Sequence, residues 1–118
     1  MDINKQNGTL SVTGLRELNA ANAQAFRSAL ARALSQDLQA IEIDLSQTQV
    51  VDGVGLGALV ALYEMAKERR KREDFAIRLT NPKPTVQQMI ELARLHRLFE
   101  ITSPGSAADG ALPPINLT

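Results

Sequence analysis

Polar and apolar residues alternate along Thr9–Thr13, directly after an Asn7-Gly8 pair. Alternation with a period of two is typical of a strand that buries one face, and Asn-Gly is a strong signal for a tight hairpin turn. The pattern therefore predicts a strand over Thr9–Thr13, with Met1–Lys5 as its hairpin partner. Strand-like patterns return further along the chain, in Ile41–Leu45, Phe75–Thr80 and the short apolar run Leu98–Ile101.

Three segments instead place their apolar residues three or four positions apart, which is the period of a helix with one buried face. The first covers about residues 19–35, with Asn19 or Asn22 as its N-cap, and the second covers about 55–70. The third follows Pro82 and Pro84. Its predicted buried stripe comprises Val86, Met89, Ile90 and Ala93.

The resulting element order is β-β-α-β-α-β-α-β, and it predicts an α/β fold. Strands that alternate with helices pair in parallel through right-handed crossovers. We expect a small mixed sheet of about four to five strands, mostly parallel in its core, with three to four helices packed on it. Residues 1–102 form one domain, whereas ten of the twelve residues at 103–114 are Ser, Pro, Gly or Ala. Residues 103–118 are therefore predicted to be a flexible tail.

The composition provides few of the side chains that commonly serve in catalysis or metal binding. Thirteen basic residues balance 13 acidic ones, cysteine is absent, and His96 is the one histidine. Zero net charge argues against a nucleic-acid binder, which needs positive charge to displace counterions. The lack of cysteine excludes disulfides and cysteine metal sites, and a single histidine excludes multi-histidine metal sites. No apolar run approaches the length of a membrane span. We expect a cytoplasmic domain with no catalytic residues, no metal, no cofactor and no membrane insertion.

A glycine-rich turn, Gly53–Ala58, fits the pattern G-x-G-x-x-G/A at the start of a predicted helix. Such a turn binds the pyrophosphate of a dinucleotide in some α/β proteins. Here the next strand ends in Asn81 rather than an acidic residue, and the chain is too short for two nucleotide-binding halves. The pattern favours a tight strand-to-helix turn. A sensor of a small ligand or nucleotide remains an alternative.

The same turn resembles the STAS domain family, which includes anti-sigma factor antagonists and cytoplasmic domains of some anion transporters. The family pattern is an apolar strand ending in D-L-S, a short connection, then D-S-S-G-L-G-x-L at a helix start. The corresponding residues are Asp44–Ser46 and Asp52–Leu59, and weaker matches occur at Asn19–Ala23 and Leu95–Phe99. The resemblance covers about residues 8–101 and implies the fold already predicted from the pattern.

The chain departs from the family at the residue that a partner kinase phosphorylates. The resemblance places Val54 at the second serine of D-S-S-G and Gly53 at the first. Valine has no hydroxyl group, so the usual switch is not expected to operate at this degenerate phosphosite. Ser46 and Thr48 are possible secondary sites, although hydrogen bonds within the turn are the favoured interpretation of both hydroxyls.

Other polar residues near the predicted helices have structural explanations. Asp52 suits a helix N-cap, and the resemblance also places it in the partner-contacting turn. It has no evident catalytic partner. His96 is expected to act as a cap or surface residue. The basic run Lys67–Arg72 is interleaved with acidic residues and is interpreted as a solvated helix end.

The resemblance implies a non-catalytic regulatory module that binds an anti-sigma factor or a related kinase-like switch protein. Its expected contact surface is the turn at the helix start, centred on Val54 and formed by Asp52, Gly53, Val54, Gly55, Leu56 and Gly57. One alternative is a STAS subunit that acts on the ATPase of an ABC-type phospholipid transporter. The chain is expected to be a monomer or a weak homodimer.

Overall fold

A computed structural model describes residues 1–69 and 75–102 of the chain. In this part of the chain the strands are β1 Asp2–Gln6, β2 Thr9–Thr13, β3 Glu17–Leu18, β4 Ala40–Asp44, β5 Val50–Val51, β6 Ala76–Thr80 and β7 Glu100–Thr102. The helices are α1 Ala23–Ala33, α2 Gly53–Arg69 and α3 Pro84–Leu92, followed by a 3-10 helix, Leu95–Arg97. The predicted tail at 103–118 and the end of the basic run at 70–72 lie outside the described residues.

The main sheet has the strand order β1-β2-β4-β6-β7. Only the β1–β2 pair is antiparallel, and the other pairs within this sheet are parallel. The mixed, mostly parallel α/β fold predicted from the sequence is therefore confirmed. The hairpin between β1 and β2 has a two-residue loop in which Asn7 and Gly8 both have positive φ, at 54° and 81°. This is the backbone that a type I′ turn requires.

A second, two-stranded sheet was not predicted. It pairs β3 with β5 in parallel, with Leu18 opposite Val51. Strands of two residues are too short to show a periodic pattern, which is why the sequence gives no signal for them. Strand β5 lies directly before α2 in the chain, and its pairing with β3 brings Leu18 next to the start of that helix.

The helix boundaries differ from the prediction at several points. Helix α1 begins at Ala23, with Asn22 rather than Asn19 at the N-cap position. The Asn22 side chain does not cap the first turn, because its Oδ1 accepts instead from the Asn19 N–H (2.9 Å). Helix α2 begins at Gly53, two residues early. Leu98 and Phe99 follow the 3-10 helix and precede β7 instead of forming its start.

Helix α3 buries a narrower stripe than predicted. Val86 and Ile90, four residues apart, are buried, whereas Met89 and Ala93 are exposed. The prediction that Met89 and Ala93 belong to the core was therefore wrong. The helix ends at Leu92 and the chain then turns through Arg94, which has a positive φ of 62°.

One hydrophobic core joins the sheet to the helices. The inward residues of the central strands pack with apolar residues of all three helices in a single cluster, which includes Leu10, Val12, Ile41, Ile43, Ile77, Leu79, Phe26, Leu30, Leu59, Leu62, Val86 and Ile90. The alternate residues form an outer face of the sheet. Across it, Ser11, Glu42 and Arg78 lie side by side, and the Arg78 guanidinium pairs with Glu42 (3.3 Å) and Glu100 (3.2 Å).

Candidate functional site

Helix α2 begins with a capped turn. The carboxylate of Asp52 accepts a hydrogen bond from the Gly55 N–H (Oδ1, 2.8 Å), and the Asp52 carbonyl accepts from the Leu56 N–H (2.9 Å). An aspartate in this position satisfies a free amide of the first turn and carries negative charge at the positive end of the helix dipole. The predicted capping role of Asp52 is confirmed.

The same carboxylate also connects α2 to the segment before α1. Its Oδ2 accepts from the Ala20 N–H at 3.3 Å, and the Asp52 N–H donates to the Leu18 carbonyl at 3.2 Å. Both carboxylate oxygens therefore accept backbone hydrogen bonds. Asp52 therefore holds the turn in place. It also occupies the Gly55 amide, which would have to be free to bind a pyrophosphate.

Gly55 allows α2 to pack against β3. A Cβ atom at this position would lie 1.9 Å from the Leu18 carbonyl oxygen, far inside van der Waals contact. At Gly53 and Gly57, by contrast, a Cβ would meet nothing within 4 Å. The three glycines of the turn therefore differ in role, and only Gly55 is required by this close approach of two backbones.

The predicted contact residues divide into a surface set and a packing set. Gly53, Val54 and Gly57 are exposed, and 54% of Val54 is accessible to solvent. Leu56 is half-buried against the core, and Gly55 is buried. A partner that docks on this turn therefore meets Val54 as its main side chain, with Asp52 and Gly55 supporting the turn from within.

Further apolar side chains are exposed on the strand that leads into α2 and on the helix that packs against that strand. Strand β5 packs against both α2 and α3, and it carries the exposed Val50. Helix α3 adds the exposed Met89 and Leu92. We call Val50, Val54, Met89 and Leu92 the apolar surface. The sequence did not reveal Val50, Met89 and Leu92 as surface residues, because their apolar character is equally typical of core positions.

The two hydroxyl groups proposed as secondary sites take part in turn hydrogen bonds. Ser46 is exposed, and its N–H and Oγ donate to the two carboxylate oxygens of Asp44 (3.1 and 3.0 Å). Thr48 has 0% exposure, and its Oγ1 donates to the Leu15 carbonyl. These bonds support the interpretation of both residues as turn-forming, and burial keeps Thr48 out of reach of a kinase in the folded chain.

His96, the one histidine, is exposed in the 3-10 helix, as predicted for a surface residue. In the basic run, the Lys67 ammonium lies 5.9 Å from the centre of the Tyr63 ring. Within residues 1–69 and 75–102, no three side chains of the metal-ligating types come together. None of the helices in the described ranges is long and apolar enough to span a membrane.

The family model of the STAS domain matches residues 1–107. The chain therefore belongs to the STAS domain family. Curated proteins show no match to the sequence.

Several solved structures share the fold. They include a proposed anti-sigma factor antagonist from Thermotoga maritima (TM-score 0.74, 20% identity, 91% of this chain and 89% of that one). The Bacillus anti-sigma factor antagonist SpoIIAA in its unphosphorylated form is also similar (TM-score 0.69, 18% identity, 94% and 97%). A third is an anti-sigma factor antagonist from Mycobacterium paratuberculosis (TM-score 0.70, 24% identity, 92% and 89%).

Proposed function

We propose that this STAS domain is a non-catalytic regulatory module of the cytoplasm, which acts as an anti-sigma factor antagonist. Its partner is an anti-sigma factor or a related kinase-like switch protein, and it docks on the apolar surface around Val54. The observation that carries the proposal is the exposed valine in the first turn of α2, at a turn whose backbone is held by Asp52 and Gly55. Fold neighbours described as anti-sigma factor antagonists support the choice of partner class.

The held turn favours tight docking for an entropic reason. Binding is weakened by the cost of ordering loops and side chains at the interface. Here Asp52 accepts hydrogen bonds from two backbone amides, and Gly55 packs against the carbonyl of Leu18. The backbone under Val54 is therefore ordered before a partner arrives, and a branched valine side chain has little rotamer freedom to lose.

The chemistry of the apolar surface suits a constitutive interface. Full burial of a Val, Met or Leu side chain contributes about 1.5–3 kcal/mol. Four such side chains are exposed on β5, α2 and α3. These side chains are 36–73% exposed, so a partner that covers all four gains only about 3–6 kcal/mol. That is part of the roughly −8 kcal/mol of micromolar binding.

The proposal also holds that binding is not switched by phosphorylation of the turn. Residues 52–58 contain no hydroxyl side chain. Of the two nearby hydroxyls, Thr48 is buried and Ser46 is hydrogen-bonded to Asp44. Control of the interaction is therefore assigned to the abundance of the protein or to another part of the molecule.

A charge placed on the apolar surface tests the docking site. We expect Val54→Asp to weaken partner binding at least tenfold, because an unpaired carboxylate would be buried against an apolar partner. The helix itself should tolerate the change, since an acidic residue suits the first turn of a helix. The partner is first captured from a lysate with the tagged wild-type chain and identified by mass spectrometry, and affinities are then measured by calorimetry.

The control places the same charge on the other side of the fold. Gln36→Asp alters an exposed residue between α1 and β4, at the edge of the sheet remote from the start of α2. It should leave affinity unchanged. Equal affinities of the Val54→Asp and wild-type chains would move the interface elsewhere. Capture of an ABC-type ATPase instead of an anti-sigma factor would replace the proposed partner with the transporter alternative.

A further inference from the structure

A polar cleft of about 250 Å³ lies at the edge of the main sheet where the parallel strands end. It is lined by Arg16, Ser46, Gln47, Gln49 and Lys83. These residues come from three loops. Arg16 follows β2, residues 46–49 follow β4, and Lys83 follows β6, so the loops of three neighbouring parallel strands converge on one cleft. In α/β sheets the carboxyl ends of the strands are the usual place for a ligand.

The backbone around the cleft is held in position. The Arg16 carbonyl accepts a hydrogen bond from the Gln49 N–H at 2.8 Å, which joins the first loop to the second. The buried Thr48 hydroxyl donates to the Leu15 carbonyl and reinforces the same junction. Lys83 stands between Pro82, which is buried, and Pro84, the first residue of α3. The side chains of Arg16 and Lys83 thus extend from anchored loops.

The charge in the cleft has one sign. Arg16 and Lys83 line it together, and no acidic side chain does. Among residues 1–69 and 75–102, neither cation forms an ion pair, whereas Lys5 pairs with Asp37 and Arg78 pairs with two glutamates. Two cations at one cleft, with side-chain amides beside them, provide hydrogen-bond donors. The Asp44 carboxylate accepts two hydrogen bonds from Ser46 but does not itself line the cleft.

We propose that this polar cleft binds a small phosphate-bearing molecule. The Arg16 guanidinium and the Lys83 ammonium would hold the phosphate oxygens by charge-assisted hydrogen bonds, with the amide groups of Gln47 and Gln49 as further donors. The cleft is smaller than the pockets of about 300–1,000 Å³ that take drug-sized ligands. It therefore suits a phosphate group with a short organic part. The proposal rests on residues outside the Asp52–Gly57 turn and does not depend on the proposed partner.

The test is a titration of the isotope-labelled full chain followed by NMR. Inorganic phosphate and glycerol 3-phosphate are the probes, and sodium chloride and sodium acetate at equal ionic strength are the reference anions. We expect saturable shifts at Arg16, residues 46–49 and Lys83 with the phosphate probes alone. Stronger binding of glycerol 3-phosphate would indicate that the organic part contributes, whereas equal binding would assign the site to phosphate itself.

Variants identify the residues responsible. Arg16→Gln and Lys83→Gln should each weaken phosphate binding about tenfold or more, the loss expected for one hydrogen bond between charged groups. Lys5→Gln removes a cation from a distant surface pair and should have no effect. Linear, unsaturable shifts, or equal losses in the Lys5 variant, would overturn the proposal. Partner binding is measured without phosphate, so failure of one proposal is distinguishable from failure of the other.

Discussion

Gly55 shows how a single residue determines the packing of a helix. The Leu18 carbonyl occupies the space that any larger side chain would need, so α2 approaches β3 more closely than an alanine would allow. Gly53 and Gly57 stand two residues to either side and face open space. Within one turn, therefore, packing requires a glycine at position 55 but leaves room for a larger residue at positions 53 and 57.

We expect Gly55→Ala to lower the free energy of unfolding by about 3 kcal/mol or more. The added methyl group must push two backbones apart, and overpacking of a core site typically costs about 1–3 kcal/mol even when flexible side chains can yield. Gly57→Ala is the matched control. It should raise stability by about 0.5–1 kcal/mol, because alanine is the better helix former at an unobstructed position. Urea unfolding of both variants measures the difference, and equal effects would contradict the packing argument.

At the scale of elements, the start of α2 depends on a carboxylate and on a sheet of two-residue strands. Asp52 caps the helix and also accepts a hydrogen bond from Ala20, while β3 and β5 bring Leu18 against Gly55. The cap was predictable, since an aspartate before a helical pattern is a recognised signal. The contrast between Gly55 and its neighbouring glycines was not predictable, because it depends on a strand pair that is too short to leave a pattern.

Removal of the cap should loosen the turn beneath Val54. We expect Asp52→Ala to lower the free energy of unfolding by about 1 kcal/mol, the usual cost of losing an N-cap side chain. Hydrogen exchange at the Gly55 amide should accelerate, because that amide loses its acceptor. Asp52→Asn keeps an oxygen for Gly55 and should lose less. Exchange rates at Gly55 that match the wild type in the alanine variant would show that the carboxylate does not hold the turn.

Parts of the site that leave a pattern in the sequence were predicted, whereas parts that depend on tertiary packing were not. The period of the apolar residues predicted the central strands correctly, and the D-L-S and glycine-rich motifs located the turn. Met89 was assigned to the core because it fits the helical period of apolar residues. That period does not show whether another element packs against the residue and buries it. Its exposure depends on how α3 is placed against β5, which is a tertiary property.

At the scale of the whole molecule, one core connects every helix to the central strands. Buried residues of the sheet and of α1, α2 and α3 belong to a single cluster, whereas the outer face of the sheet is polar. A small domain with one contiguous core is expected to unfold in one cooperative step. The apolar surface and the polar cleft are thus attached to one folding unit.

A core substitution should therefore affect all parts of the molecule together. We expect Leu59→Ala, at a fully buried residue of α2, to lower the free energy of unfolding by about 2–5 kcal/mol. Circular dichroism and NMR signals from β2 and α3 should report the same midpoint in urea. Ser11→Ala on the outer face should change stability by less than about 0.5 kcal/mol. Separate midpoints for the two elements would show that the core is divided.

The exposed valine at the start of α2 has a consequence for the speed of a response. A serine in such a turn can be modified and restored by enzymes within their own turnover times. The side chain of Val54 offers no atom for that chemistry, so occupancy of the proposed interface follows mass action, that is, the free concentration of each protein relative to Kd. Concentrations change through synthesis, degradation and dilution by growth. Under the proposed function, a module controlled through its abundance reports how much of itself the cell has made, over the time in which cells grow.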